Sequence, residues 1–218
     1  SHEQTWMPLH WRAKSALQMP SKRAISRTRL HRVKITKKRE EFAFDTDEHV
    51  RGETTADGLA SLRPAFDKEG QVTAGNSSGI NDGAAALILG NAEKVEKSNK
   101  SPLAKIVSYG FGGVAPRIMG MGPVPASKMA LERAGLKVSQ IDIVESNEAF
   151  AAQACAVSKE LGLPSDIVNP NGGAIALGHP VGATGAIIMT KLIYELHRTG
   201  GRLSLIHISE PTRLRRIA

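Results

Sequence analysis

The segment Asn169–Gly185, NPNGGAIALGHPVGATG, constrains this chain more than any other. Its glycines permit positive φ and close backbone approach. A packed core needs neither freedom, whereas a site where a ligand lies against the main chain needs both. The segment delivers one histidine, His179, between Gly178 and Pro180. Gly178 lets the chain turn before it, and Pro180 fixes the chain after it. An isolated histidine is usually a satisfied surface or core residue; the glycine-histidine-proline setting argues against that here. A histidine so aimed, with a charge that changes near neutral pH, suits proton transfer. Gly182-Ala183-Thr184-Gly185 opens the next helix. It has neither a Walker lysine nor dinucleotide spacing, so it reads as close packing beneath the site rather than a phosphate cradle.

With 218 residues the chain can bury one good core or two small ones. Hydrophobic residues make up 41% and charged residues 23%, which places it among globular proteins. No apolar run approaches the ~20 residues that span a bilayer, and His2–Pro20 has no signal-peptide core, so no membrane partner is expected. The net charge of +8 would suggest an acidic partner, but its distribution argues otherwise. Residues 1–40 hold eleven Lys and Arg against two acids, and 202–218 hold four against one, which leaves −4 for the stretch between. A nucleic-acid partner is therefore not expected. The single cysteine, Cys155, rules out an internal disulfide and fits a reducing, cytoplasmic setting. It lies in the apolar run AAQACAV and reads as a small packed side chain, not a reactive thiol.

Patterning predicts an α/β protein. Val33–Phe44 reads as a strand and hairpin edge, and Thr55–Leu62 as a short helix before Arg63-Pro64. Asn76–Asp82 is a turn cluster, and Ala84–Leu89 after it reads as a buried strand or the start of a buried helix. Asn91–Lys100 is polar and helical. Strands at Ala104–Tyr109 and Ile141–Val144 then alternate with helices at Pro125–Ala134, Glu148–Leu161 and Ala183–Arg198. The helices are followed by Gly135, Gly162 and Gly200-Gly201. That alternation predicts a sheet with helical layers. No His, Cys or Asp cluster has metal-ligand spacing, so no metal is expected.

The histidine loop, read beside Asn147–Phe150 (NEAF), resembles the C-terminal half of a thiolase, an acetyl-CoA acetyltransferase or 3-ketoacyl-CoA thiolase. Val72–Leu87, Met119–Leu136 and Val144–Ala154 resemble the same family in order and spacing, and the resemblance runs roughly from Val33 to Arg202. It implies a layered α-β-α-β-α fold of which mainly the C-terminal half is present. Residues 33–100 would end the N-terminal half with a remnant of its loop domain, and 101–202 would be a truncated C-terminal domain. It also implies that His179 helps form a cysteine thiolate and polarises the thioester oxygen. Asn147, alternatively a turn residue or helix N-cap, would hold a water that with the histidine stabilises an enolate oxygen. Ala149, Phe150 and Met119 would line the acyl and pantetheine pocket. Ser78 and Ala74 match pantetheine-contacting positions, and Arg51 a position near the adenine and phosphate end of coenzyme A. For each of these, packing or solvation is the competing reading. Gly58 stands where the family can carry a serine beside the nucleotide. Coenzyme A thioesters would be substrates, with no bound cofactor, and the intact enzyme a homodimer or homotetramer.

The ends depart from the family. Residues 1–32 follow neither a helical nor a strand period. Back-translated and read one base over, Trp6–Arg32 yields stretches resembling the family's preceding helix and strand, so a frameshift is the expectation. Leu203–Ala218 stands where the family has a strand and a Cys-x-Gly loop; it reads as an artefactual tail, short and interrupted by Pro211, and no structure is assigned to it. Thiolase chemistry uses two cysteines, and Cys155 matches neither. The chain as written is thus expected to be an inactive fragment. The alternative is a non-catalytic thiolase-like protein that binds acyl-CoA or lipid.

Overall fold

The computed structural model describes residues 32–37, 39–45 and 47–208. The frameshift reading of residues 1–32 lies, apart from Arg32, outside the described residues. Strands β1 (Val33–Lys37) and β2 (Glu40–Phe44) form the expected hairpin, antiparallel with Val33 opposite Phe44 and Lys37 opposite Glu40. Helix α1 (Ala56–Ala60) starts where the Thr55 hydroxyl accepts from the Gly58 amide, and α2 (Ala92–Lys97) where Asn91 accepts from Glu93.

The core lies in the second half. A 3₁₀ turn at Pro116–Met121 leads into α3 (Pro123–Ala134), then β3 (Ile143–Ser146), α4 (Ala151–Leu161), the short α5 (Ala174–Leu177), α6 (Thr184–Thr199) and β4 (Ser204–His207). Helices α3, α4 and α6 stop at Gly135, Gly162 and Gly200, each left-handed with φ of 65 to 71°. Strand β3 is buried throughout, and its alternation divides the core. Val144 joins Val124, Leu131, Val157, Leu161 and Leu205 in the cluster formed with α3 and α4. Glu145 meets α6 instead, whose buried stripe is Thr184, Ile188, Lys191, Leu192 and Glu195.

Three expectations are corrected. The first residues of the unassigned tail have structure: Ser204–His207 pairs parallel to β3, with Ile143 opposite Ser204 and Ser146 opposite His207. Asp142 sets this register, because its Oδ2 accepts from the amides of Arg202 and Leu203 at 2.7 and 2.9 Å. Those two hydrogen bonds, ahead of the Arg202 charge, hold its carboxyl below the usual carboxylate range. Conversely, residues 84–89 and 104–109 form neither strand nor helix. Ile88, Leu89, Ile106, Val107 and Tyr109 are exposed there. These segments have strand composition, but a strand needs a neighbour to bond, and none of the described residues supplies one. The helix expected from Glu148 begins only at Ala151. Phe150 is held extended by a bridge to Ser77, and Ala149 O accepts from Ser78 N at 3.0 Å. Asn147 is therefore not a helix cap.

His207 is a cost within this core. It is 4% exposed, and neither ring nitrogen has a hydrogen-bond partner. Burial pushes its pKa down to about 4. The folded state thus holds the ring neutral, while the unfolded chain takes up a proton below the ordinary histidine value. Stability from this residue is full above about pH 6.5 and falls as the pH drops toward 4, by on the order of 3 kcal/mol. We expect His207→Leu to raise the melting temperature at pH 7 and to flatten its fall between pH 6.5 and 4, as read by thermal denaturation across that range. An unchanged pH profile would contradict this account.

Candidate functional site

The site begins at the end of β3. After Ser146 the ladder continues through a side chain. Asn169 Oδ1 accepts from Ser146 N at 2.8 Å, and Asn169 Nδ2 donates to Ser146 O at 2.9 Å. Asn169 sits at φ 46°, a left-handed conformation that asparagine tolerates better than most residues. Its Nδ2 also donates to Glu148 Oε1 at 2.7 Å, and Glu148 Oε2 accepts from Ile175 N at 3.3 Å. Burial raises the Glu148 pKa, with the Asn169 and Ile175 hydrogen bonds opposing that rise. A Cβ at Gly173 would collide with the Glu148 carboxyl, so the turn closes on that carboxyl only because residue 173 is glycine. The two segments carrying Asn147 and His179 are thereby clamped together.

His179 is 9% exposed and Asn147 1% exposed. The Thr184 hydroxyl donates to Pro180 O at 3.0 Å, so it receives the proton of His179 Nδ1, 2.7 Å away. With that proton on Nδ1, the neutral ring leaves Nε2 bare. Asn147 Nδ2 faces Nε2 at 3.4 Å and donates to it. The Asn147 amide nitrogen of the backbone donates to His207 O at 3.1 Å, so β4 anchors this residue too.

The histidine loop is held from its other side by the chain near residue 80. His179 N donates to Gly79 O at 2.9 Å and to Asn81 Oδ1 at 3.3 Å, and Ile80 bridges His179 as a parallel partner. Asn81 Nδ2 donates in turn to His49 Nδ1 at 3.1 Å. Gly178 is at φ 88°, and a Cβ there would collide with the Asn81 amide, so glycine is required twice over.

Ser78, Ala149 and Phe150 are brought to this centre: Ser78 N bonds Ala149 O, and Ser77 bridges Phe150. Phe66 stacks edge-on to Phe150, with centroids 6.4 Å apart. Arg51 and Ala74 lie in exposed turns, and Met119 is half exposed at the end of its 3₁₀ turn. The close-packing reading of Gly182–Gly185 is half right. Gly185 lies against Ile208, whereas Gly182 faces open space. Cys155 is partly buried on α4, and burial, reinforced by the Glu148 charge, pushes its thiol up to about 11. Sequence reading missed Thr184, Glu148, Asn169, Asn81, His49 and Phe66. Glu148 had a visible signal, as an acid beside Asn147 in an otherwise apolar stretch, and Asn169 opens the glycine turn. The partners His49 and Asn81 had none. Among the described residues no group of His, Cys, Asp and Glu could hold a metal ion, and no helix is long and apolar enough to cross a membrane.

A family model of the thiolase C-terminal domain matches residues 100–212, and one of the thiolase N-terminal domain matches residues 21–93. The chain is 58% identical over 167 residues to the beta-ketothiolase BktB of Cupriavidus necator, covering 76% of this chain and 42% of that protein. It is 56% identical over 165 residues to an acetyl-CoA acetyltransferase of Shinella zoogloeoides, with the same coverage. The chain thus spans well under half the length of these curated relatives. Among solved structures, the acetyl-CoA acetyltransferase of Bacillus anthracis superposes with a TM-score of 0.87 at 42% identity, over 94% of this chain and 52% of that one. Human mitochondrial 3-ketoacyl-CoA thiolase in complex with CoA superposes at 0.80 and 40% identity, over 94% and 51%. The glycine-delivered histidine, the asparagine facing it and the layered α/β core around them are therefore features of a chain that belongs to the thiolase family.

Proposed function

We propose that the protein to which this chain belongs is a thiolase-type acyltransferase. It would join two acetyl-CoA into acetoacetyl-CoA, or split a 3-ketoacyl-CoA with coenzyme A. The observation that carries this reading is the placement of Asn147 Nδ2 3.4 Å from His179 Nε2, with His179 Nδ1 tied to Thr184. In this reading the bare Nε2 takes the proton of a cysteine thiol, and the thiolate attacks the thioester carbon. The carbonyl electrons move onto oxygen, which Nε2–H and Asn147 Nδ2–H face as donors. Collapse expels the coenzyme A thiolate, which takes the proton back from Nε2 and leaves an acyl-enzyme. A second thiolate removes an α-proton from acetyl-CoA and becomes a thiol, while Asn147 Nδ2–H and a water it holds face the enolate oxygen; the carbanion attacks the acyl carbon, the enzyme thiolate leaves, and it regains its proton from the second thiol.

The substrate arm would run along Ser78, Ala149 and Phe150. Ala74 and Met119 would lie beside it, and Arg51 near the nucleotide end. Neither thiolate comes from this stretch of sequence, because Cys155 stays protonated at neutral pH. That observation also favours the second reading for the chain by itself, a binder of acyl-CoA without turnover. The whole enzyme would be a homodimer or homotetramer with no bound cofactor or metal.

Thiolysis of acetoacetyl-CoA, followed by loss of the substrate enolate absorbance, tests both readings. The 218-residue chain is expected to show no turnover. In the protein expressed from the complete reading frame, His179→Ala and Asn147→Ala are each expected to lower kcat about 10²–10³-fold with smaller changes in KM. Parent kcat in both variants would sink the enzyme reading. Coenzyme A binding by a complete protein that turns over no thioester would establish the binder instead.

A further inference from the structure

Helix α6 buries a charge in the middle of its inner stripe. Lys191 is 7% exposed, and its Nζ donates to Glu145 Oε2 at 2.7 Å and to Gly172 O at 2.6 Å. Glu145 is fully buried on β3, two residues before Asn147. Gly172, at φ 84°, belongs to the turn that leads through α5 to His179. The same helix begins at Thr184, whose hydroxyl holds His179 Nδ1. Seven residues make nearly two helical turns, so Thr184 and Lys191 lie on one stripe about 10 Å apart. One rigid element thus grips the histidine at its first turn. Two turns later it grips the strand that ends just before Asn147 and the turn that precedes His179.

Stability does not explain a charge in this place. Apolar side chains of similar volume are often as stabilising as a buried ion pair, because two ions must be desolvated. What the pair supplies is direction, and the bond to Gly172 O adds a third fixed point that charge neutralisation does not require. We propose that Lys191 is a positioning residue: by tying α6 to Glu145 and to the Gly172 turn, it sets the separation of His179 Nε2 and Asn147 Nδ2. The functional meaning of that separation rests on the reading of His179 and Asn147 given above; its geometry does not.

The test uses the 218-residue chain and nitrogen NMR of the His179 ring and the Asn147 side-chain amide. Lys191→Met alone strands the Glu145 carboxylate and is expected to melt well below the parent. The decisive variant is therefore Lys191→Met with Glu145→Met, which removes both charges and keeps the packing volume. It is expected to melt near the parent temperature, with the His179 titration midpoint displaced and both the ring and amide resonances shifted. In the complete enzyme the same pair of changes is expected to lower kcat while leaving KM for the acyl-CoA in place. A folded double variant with parent resonances would overturn the proposal, because the separation is then set without the pair, and so would a double variant that fails to fold, because the pair is then a stability device. Failure of the parent chain to bind coenzyme A would count against the functional reading and leave the NMR result standing.

Discussion

The arrangement depends on one substitution of side chain for backbone. Strand β3 ends at Ser146, and from there the Asn169 amide supplies both the donor and the acceptor that a neighbouring strand would have offered. The main chain is thereby freed to leave the sheet while Ser146 keeps both of its backbone groups bonded. It is at this exit that Asn147 and Glu148 stand, one facing His179 and the other clamping the glycine turn. Bonds in this buried setting are costly to leave unmade, so a change at Asn169 would be felt at three places: the strand end, the carboxyl of Glu148 and the approach to His179. The glycines at 173 and 178 follow from the same constraint, since each leaves room for a polar side chain that holds the loop.

Legibility in the sequence tracks how local the physics is. Helix ends were readable because glycine at 135, 162 and 200 stops a helix through its own left-handed φ, with no help from elsewhere in the chain. The histidine loop was readable for the same reason: Gly178 and Pro180 dictate the backbone around His179 by themselves. What failed was pairing. Residues 84–89 and 104–109 have strand composition, yet a strand is a relation between two segments. Leu203–Ala218 reads as a tail with no structure assigned, yet its first residues find β3 because Asp142 receives their amides. The helix start slipped from Glu148 to Ala151 because Ser77 and Ser78, some seventy residues away, bond the intervening backbone. Of the candidate site residues, those on segments adjoining this pairing (His179, Asn147, Ser78, Ala149, Phe150) converge, whereas Arg51, Ala74 and Met119 lie in turns whose relation to the centre no local rule fixes.

The chemistry of the centre also separates into parts by locality. Two polar side chains face each other there: His179 Nδ1 is tied to Thr184, and the Asn147 amide facing Nε2 is set by β3 and its two flanking partners. A nucleophile requires a thiolate, which needs an exposed or electropositive setting. Cys155 has the reverse, with partial burial beside an acid. The paired polar side chains and the thiol of this chain thus stand in different settings, the pair in a built hydrogen-bond clamp and the thiol partly buried on α4.

The same division accounts for the surface. Ile80, Ile88, Leu89, Leu103, Val107 and Phe111 are exposed, and they lie on the stretch between the hairpin half and the core rather than around the core itself. Isolated apolar residues on a surface are ordinary, but a run of them outside any strand or helix offers a contiguous apolar face. The buried half of the molecule meets the usual standard of native packing, with Val144 and Val157 wholly enclosed. The exposed half has the composition of a sheet without the sheet. The boundary between the two runs beside Ile80, which pairs with His179. The exposed run thus starts at the histidine loop, on the side where Gly79 and Asn81 bond the His179 amide.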